Sequence, residues 1–359
     1  MNILITNVEM DGYSGTTLYV KELALGLQKR GHTIEVYTMR IGPIGKELLE
    51  HDIHVTTSMK KLAKPDIIHA HHNITAWPIL RRFSQSPMIF WVHSRLSPLN
   101  IPPRHRNIIQ YMAVDFNCQE RYVTEHGFDP GSVSVIYNWV NLDRFKLKEH
   151  TASTLKTALV FSNYASDQSG YLPVIRSACK QLGIRLDVMG QGTHSEQNDP
   201  ENYLGNYDLV FAKAKAAMEA MACGCAVVIC DFTGLAGFAS PENFDKFRSL
   251  NFGMKLMTRP IQPNLIANEL EKHTYEDTNK VCNRIRSVAD MNLCIGQIHE
   301  LYLEIAEKHR LGIQGDYGFN LRNFFGWRGA SFRIWIGLWA HLKFPLLHSW
   351  FKKLKGSTH

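Results

Sequence analysis

The chain has 359 residues, which is too long for one ordinary hydrophobic core and suits two domains. Hydrophobic residues make up 45% of it and charged residues 20%, the composition of a globular protein. The net charge is +7, yet residues 316–359 alone carry seven Lys/Arg and one Asp. The rest is nearly neutral, which argues against a nucleic-acid-binding body and indicates a basic tail with a partner of its own.

The first residues predict a β-strand and no secretory leader. Residues 1–7 have no basic region and only a short apolar run. No stretch of 18 uncharged apolar residues occurs anywhere, so we expect no ordinary transmembrane helix. The seven cysteines are scattered without a CxxC pair. This pattern favours reduced thiols in a cytosolic protein and argues against a zinc site.

Apolar β-branched runs alternate with helical patterns along the chain. The first part predicts strands at 3–6, 33–38, 67–70 and 88–92, with an amphipathic helix between the first two. The pattern restarts near residue 156, with strands at 158–161, 185–189, 209–211 and 226–230, and helices at 172–182, 215–223 and 292–309. Such alternation predicts an α/β fold with parallel sheets that carry helices on both faces.

The restart divides the chain into two Rossmann-like domains, residues 1–150 and 151–315, with the linker in 141–156 and the tail at 316–359. Ligands of such sheets bind outside the carboxyl ends of the strands. Two domains that face each other leave a cleft there, and we expect the chemistry in that cleft.

The sharpest motif is residues 218–228, Met-Glu-Ala-Met-Ala-Cys-Gly-Cys-Ala-Val-Val. A buried strand leads into a short helix whose first amides are free for an anion, and Glu219, one turn in, can accept hydrogen bonds from a ribose diol. The segment resembles the E-A-M-A-x-G-x-P-V-V segment of glycosyltransferase family 4, a retaining family with the GT-B fold. The resemblance implies that Glu219 binds the donor ribose. The alternative is a helix that only packs on the sheet, with Glu219 solvated.

Three further segments follow the family order. Gly12 to Thr16, followed by Arg30-Gly31-His32-Thr33-Ile34-Glu35-Val36, resembles the N-terminal loop and second strand of the family. Residues 64–71 resemble its P-D-I-I-H-x-H strand. Residues 135–145 resemble its V-I-x-N-G-V-D segment, although Trp139 replaces the glycine and Asn141 the aspartate.

These matches imply donor-binding roles for Gly12, Gly15 and Asn138. His93 follows the predicted strand 88–92 and matches a family histidine that approaches the donor sugar, so it is the candidate catalytic residue. The resemblance implies that neither a metal ion nor another cofactor is needed. The histidines at 69, 71 and 72 do not predict a metal site, because successive residues of a strand point to opposite faces.

The chain also departs from the family. Phe211 stands where the family usually has a second glutamate, eight positions before Glu219. Residues 161–170 lack the Arg and Lys that clamp the donor diphosphate. Because charge-assisted contacts contribute roughly 1.5–3 kcal/mol, their loss predicts weaker diphosphate binding. Lys213 and Lys215, before and within the Glu219 helix, are the hypothesised replacements; exposed loop lysines are the alternative.

The tail at 317–355 combines lysines with aromatic residues, including four of the seven tryptophans. Its central run, residues 333–343, is too apolar for a soluble surface helix and too short to span a bilayer. Tryptophan and lysine together suit the headgroup boundary, so the tail predicts peripheral attachment to the inner face of the cytoplasmic membrane. The alternative is a tail that packs on the body or forms an oligomer contact.

The sequence as a whole predicts a cytoplasmic, metal-independent glycosyltransferase of the hexosyltransferase type. Its partners would be a UDP- or GDP-sugar and a lipid-linked or surface-polysaccharide acceptor, as in lipopolysaccharide synthesis, and by resemblance the transfer retains configuration. Residues 1–150 would form the acceptor side and 151–315 would hold the nucleotide-sugar. One alternative is a non-catalytic scaffold or glycan-binding protein of the same fold, and another is a nucleotide-sugar epimerase.

Overall fold

The computed structural model describes residues 1–12, 14–147, 154–168, 170–195, 197 and 199–315. The chain divides into two compact units. Of the described residues, unit 1 comprises Met1–Val114, Cys118–Val135 and residues 297–315, and unit 2 comprises Asp115–Asn117 and Ile136–Gly296. The tail predicted at 316–359 lies outside the described residues.

The division falls at Val135/Ile136, earlier than the expected boundary at residue 150, and residues 297–315 belong to unit 1 again. Side-chain contacts explain the return. The hydroxyl of Tyr302 and the Nδ1 atom of His69 form a hydrogen bond of 2.6 Å. The Nδ1 atom of His299 and the Nε2 atom of His32 form another of 2.9 Å. These pairs tie the second half of the last helix to His69 and His32 of unit 1.

Unit 1 contains a seven-stranded parallel sheet of order β3-β2-β1-β4-β5-β6-β7. Its strands are β1 (Asn2–Met10), β2 (Thr33–Ile41), β3 (His54–Thr56), β4 (Ile67–Ala70), β5 (Met88–Val92), β6 (Ile108–Ala113) and β7 (Val133–Val135). The helices that connect them are α1 (Gly15–Gln28), α2 (Pro43–Glu50), α3 (Asn73–Arg82) and α4 (Phe116–His126). The central strand is apolar on both faces, since Ile3, Leu4 and Ile5 are fully buried.

Unit 2 contains a five-stranded sheet of order β12-β11-β10-β8-β9, parallel except for the edge strand β12. Its strands are β8 (Thr157–Phe161), β9 (Arg185–Met189), β10 (Leu209–Ala212), β11 (Ala226–Asp231) and β12 (Gly234–Phe238). Its helices are α5 (Tyr171–Gln181), α6 (Glu201–Leu204), α7 (Ala214–Ala222), α8 (Phe244–Ser249), α9 (Pro263–Leu270) and α10 (Tyr275–Val288). The last helix, α11 (Met291–Arg310), contains the boundary between the units.

The core of unit 2 lies on both faces of the sheet. Val210 packs into the cluster that contains α7, and Phe211 packs into the opposite cluster, against α5. Phe211, which stands in place of the second family glutamate, is therefore a core residue on the face away from α7. Among the helices of the described part, none is both long and apolar enough to cross a bilayer.

The loops after β8 and β9 are in backbone contact. Gly190 has a φ of +152°, and a Cβ placed on it would overlap the carbonyl of Ser162. The Ser162 amide in turn donates to the Met189 carbonyl at 3.0 Å. Only glycine combines this backbone conformation with this approach, so the residue holds the two loops together.

We expect Gly190→Ala to lower the free energy of unfolding of unit 2 by about 1–3 kcal/mol, because backbone atoms must move to admit the methyl group. Urea unfolding followed by circular dichroism measures this change. Gly12→Ala is the matched control, since nothing lies within 4 Å of a Cβ at that position. Equal midpoints for the two variants would contradict the loop contact.

Candidate functional sites at the carboxyl ends of the two sheets

The sheet of unit 1 changes direction between β1 and β4, and ligands of such sheets bind outside that point. The β1 end leads through Gly12 to Gly15, the first residue of α1. Ser14 caps this helix by accepting a 3.2 Å hydrogen bond from the Thr17 amide. No atom lies within 4 Å of a Cβ built on Gly12 or Gly15, so both glycines face open space.

His93 follows β5 and lies beside His71, which follows β4. The Nδ1 atom of His71 and the Nε2 atom of His93 are 2.8 Å apart, so one nitrogen donates to the other. The ring of Tyr19, on α1, meets both imidazoles edge-on, with centroids 5.4 Å from His71 and 4.6 Å from His93. The Asn100 side chain accepts from the His93 amide at 2.8 Å. Sequence reasoning placed His93 at this edge but missed its partner.

The histidines of this edge are uncharged at neutral pH. Burial lowers the pKa of His69 to about 3 and that of His72 to about 4. Burial, together with the neighbouring imidazoles, also holds the pKa of His71 and of His93 well below the ordinary value. The Nε2 atoms of His69 and His71 are buried and have no hydrogen-bond partner in the described part of the chain.

These pKa values predict a stability that falls as the pH falls. His72 titrates near 4 when folded and near 6.5 when unfolded, so the unfolded chain takes up the proton first. The stabilisation is complete above pH 6.5 and is lost between 6.5 and 4. We expect His72→Asn, which keeps an acceptor for the Val8 amide, to reduce that loss by about 1.4 kcal/mol per pH unit.

Urea unfolding midpoints measured from pH 7.5 to 4.5 test this expectation. His51→Asn serves as the control, because His51 is exposed. Parallel pH profiles for the wild type and His72→Asn would show that His72 is not buried in its neutral form.

In unit 2 the corresponding change of direction lies between β8 and β10, and α7 begins directly after β10. Glu219 is 7% exposed and lies in the second turn of this helix. The Nζ atom of Lys215 is 3.9 Å from Glu219 Oε1 and donates to the Trp139 carbonyl at 3.4 Å. The helix therefore presents Glu219 together with a cation on the same face, four residues apart.

Lys213 is the N-cap residue of α7, and its Nζ atom forms an ion pair with the carboxylate of Asp231, at the end of β11. Asp231 is fully buried and also accepts from the Thr233 amide at 2.6 Å. The Lys213 ammonium lies 4.9 Å from the ring centre of Tyr164 and 5.3 Å from that of Phe232, both of which are exposed aromatic residues. Lys213 is thus partly neutralised, and it stands among rings suited to stacking.

Asn138 lies near a residue that sequence reasoning missed. The Asn138 amide donates to Asn251 Oδ1 at 3.3 Å, and Nη1 of Arg248 donates to the same oxygen at 3.2 Å. Arg248 also stacks over the ring of Tyr137, 4.9 Å from its centre. The sequence did contain a signal for a buried arginine. Phe244, Phe247 and Arg248 have helical spacing, which places Arg248 on the apolar face of α8.

No group of three or more metal-ligating side chains occurs in the described residues. All seven cysteines belong to this part of the chain and are buried thiols, none in a disulfide. Burial raises the pKa of Cys294 to about 11 and that of Cys179 to about 12, so these thiols are unreactive at neutral pH.

Comparison with solved structures identifies the fold. A glycosyltransferase from Rickettsia africae ESF-5 is 17% identical, with a TM-score of 0.62 over 85% of this chain and 98% of that one. Anabaena HepE, solved in complex with UDP and glucose, is 16% identical, with a TM-score of 0.59 over 83% and 98% of the two chains. A sucrose-phosphate synthase from Thermosynechococcus elongatus is 13% identical, with a TM-score of 0.52 over 85% and 98%. No curated protein sequence matches the chain significantly.

The two α/β units and these likenesses show that the chain has the GT-B fold. The sequence model of Glycosyltransferase Family 4 matches residues 13–144. This match confirms the resemblance to family 4 for the motifs in the first part of the chain, and the Glu219 segment lies outside the matched residues.

Proposed function

We propose that the protein transfers a sugar from a nucleotide-sugar donor to a glycan or lipid-linked acceptor, with the nucleotide held at the carboxyl edge of the unit 2 sheet. The observation that carries the proposal is the position of Glu219, a nearly buried carboxylate on the helix that begins at the change of strand direction. A carboxylate there can accept two hydrogen bonds from a ribose diol. The family 4 match over residues 13–144 supports the same reaction class.

The remaining contacts of this edge suit the other parts of a nucleotide. The exposed rings of Tyr164 and Phe232 offer faces for the base, and their centroids are 5.6 Å apart, too close for a third ring between them. Lys215 lies beside Glu219 and can approach the diphosphate. A UDP- or GDP-sugar is the proposed donor, and the structure of HepE with UDP and glucose gives a precedent for UDP on this fold.

The proposed chemistry needs no metal ion. The bond between the anomeric carbon and the diphosphate breaks, and cationic groups stabilise the departing charge. The acceptor hydroxyl attacks the same face of the sugar, and its proton passes to the departing phosphate oxygen. His93, uncharged at neutral pH, would offer its Nδ1 atom to the sugar, because Nε2 faces His71; Nδ1 donates or accepts according to the tautomer. Gly12 and Gly15 would let the backbone approach the sugar.

Nucleotide binding tests the proposal. We expect UDP, GDP or ADP to bind at micromolar strength in calorimetric titrations, and Glu219→Ala to weaken that binding by roughly 10- to 100-fold, since hydrogen bonds to a charged group contribute about 1.5–3 kcal/mol. Glu271→Ala, an exposed carboxylate of the same unit, is the control and should bind like the wild type.

A folded protein that bound none of the three nucleotides would contradict the transferase. The non-catalytic scaffold would then be favoured, because Phe211 is buried and both lysines of the α7 segment are paired with carboxylates. Such a protein would be tested next for glycan binding. An epimerase would instead convert the donor without any acceptor.

We also propose that residues 317–355 hold the protein at the inner face of the cytoplasmic membrane, where a lipid-linked acceptor would be found. The proposal rests on their sequence, which combines tryptophans and lysines. Each cation near an anionic surface contributes about 1 kcal/mol. Lys352→Glu, Lys353→Glu and Lys355→Glu, combined in the full chain, should therefore weaken sedimentation with anionic vesicles by roughly 100-fold.

The matched control is the triple variant Lys29→Glu, Lys60→Glu and Lys61→Glu, which makes the same charge change at exposed positions of unit 1. It should sediment with anionic vesicles like the wild type. Less of every protein should sediment with neutral vesicles than with anionic ones. Equal sedimentation of both triple variants would assign the attraction to overall charge and not to the tail.

A further inference from the structure

Arg248 is a buried arginine in the interior of unit 2. Arg248 is 6% exposed. Its Nη1 atom donates to Asn251 Oδ1 at 3.2 Å and to the sulfur of Met218 at 3.1 Å. The guanidinium also lies over the ring of Tyr137. Its Nε atom is buried and has no hydrogen-bond partner among the described residues. The side chain thus keeps donor capacity that the protein itself does not use.

The charge of Arg248 is not compensated within the described residues, where no carboxylate lies within ion-pair distance of it. The titratable groups that face it are the thiol of Cys294 and the phenol of Tyr137. Burial raises the pKa of both, so they are uncharged at neutral pH. Burial lowers the pKa of Arg248 to about 10, which leaves it positive. An unpaired buried charge is costly, and a bound anion would offset that cost.

The backbone beside Arg248 is strained. Asn251 and Phe252 have φ values of 48° and 52°, and Ala214, the first residue of α7, has a φ of 50°. The Ala214 amide donates to the Phe252 carbonyl at 2.8 Å, so the strained residues are bonded to each other. Asparagine tolerates this conformation, but phenylalanine and alanine rarely adopt it. Strain of this kind concentrates at ligand-binding sites.

Three independent features therefore meet at the start of α7: an unpaired guanidinium, a strained turn and the Asn138 segment. We propose that Arg248 and Asn251 form an anion-binding site that takes the diphosphate of the nucleotide donor. Guanidinium is suited to this ligand because its planar fork donates two parallel hydrogen bonds to phosphate oxygens. The identity of the anion rests on the proposed function, whereas the existence of the site does not.

Inorganic pyrophosphate is the probe, because it carries the diphosphate without base, ribose or sugar. We expect the wild type to bind it in calorimetric titrations and Arg248→Met to bind it roughly 10- to 100-fold more weakly. Methionine keeps the apolar stem, so the melting temperature should hold or rise as the buried charge is removed. A residue that served only stability would show the opposite pattern, a lower melting temperature with unchanged affinity.

Asn251→Asp provides a second test that keeps the shape of the site. It places a carboxylate at the oxygen that already accepts from Nη1, and aspartate also tolerates a positive φ. The new ion pair should raise the melting temperature and compete with pyrophosphate, which weakens its binding at least about tenfold. This variant decides the question alone if Arg248→Met does not fold.

Lys246→Met is the matched control, because it removes one positive charge from the exposed face of the same helix, and it should bind pyrophosphate like the wild type. The inference is overturned if the wild type binds no pyrophosphate, or if folded Arg248→Met and Asn251→Asp bind it as tightly as the wild type does.

Titrations of UDP, GDP and ADP separate the anion-binding site from the proposed function. Nucleotide binding that depends on Glu219 but not on Arg248 keeps the function and rejects this site. Pyrophosphate binding that depends on Arg248, without binding of any nucleotide, keeps the site and rejects the function.

Discussion

The packing of α7 against the sheet of unit 2 is the constraint on which the candidate donor site depends. Residues 217–222 of this helix are all buried, and the amide of Ala214 is bonded to the Phe252 carbonyl at 2.8 Å. At the other end, Gly224 has a φ of +89° and turns the chain into β11. A helix fixed at both ends cannot slide, so the positions of Lys213, Lys215 and Glu219 follow from the core.

The main strands could be predicted because each is a short apolar run between turn signals. The bounds expected for β4, β5 and β9 agree with the structure. Four strands were not predicted: β3, β6, β7 and β12. The apolar run of β6 was overlooked, and the other three strands had weaker signals. β3 and β7 are three residues long, too short for a periodic pattern, and β12 contains two glycines in five residues. The antiparallel edge of unit 2 was missed for the same reason.

The positions of the candidate site residues could be predicted from the sequence, but their hydrogen-bond and ion-pair partners could not. A motif fixes which residues follow a strand, and the parallel strands of one sheet bring their carboxyl ends to one edge. His93 could therefore be placed at the edge of the unit 1 sheet and Glu219 at that of the unit 2 sheet. Their partners come from distant parts of the chain. His71 is 22 residues before His93, and Asp231 is 18 residues after Lys213. No local pattern encodes such contacts, so the charge state of the site could not be predicted from the motifs.

The two cations of unit 2 illustrate why pairing matters more than position. Lys213 stands at the edge where a diphosphate is expected, but an anion would have to compete with Asp231 for it. Arg248 is less exposed, yet no carboxylate of the described residues competes for its charge. In a medium of low polarity an incoming anion gains most from the charge that is not already paired. The proposed role of Arg248 would therefore compensate for the family Arg/Lys pair that is absent after β8.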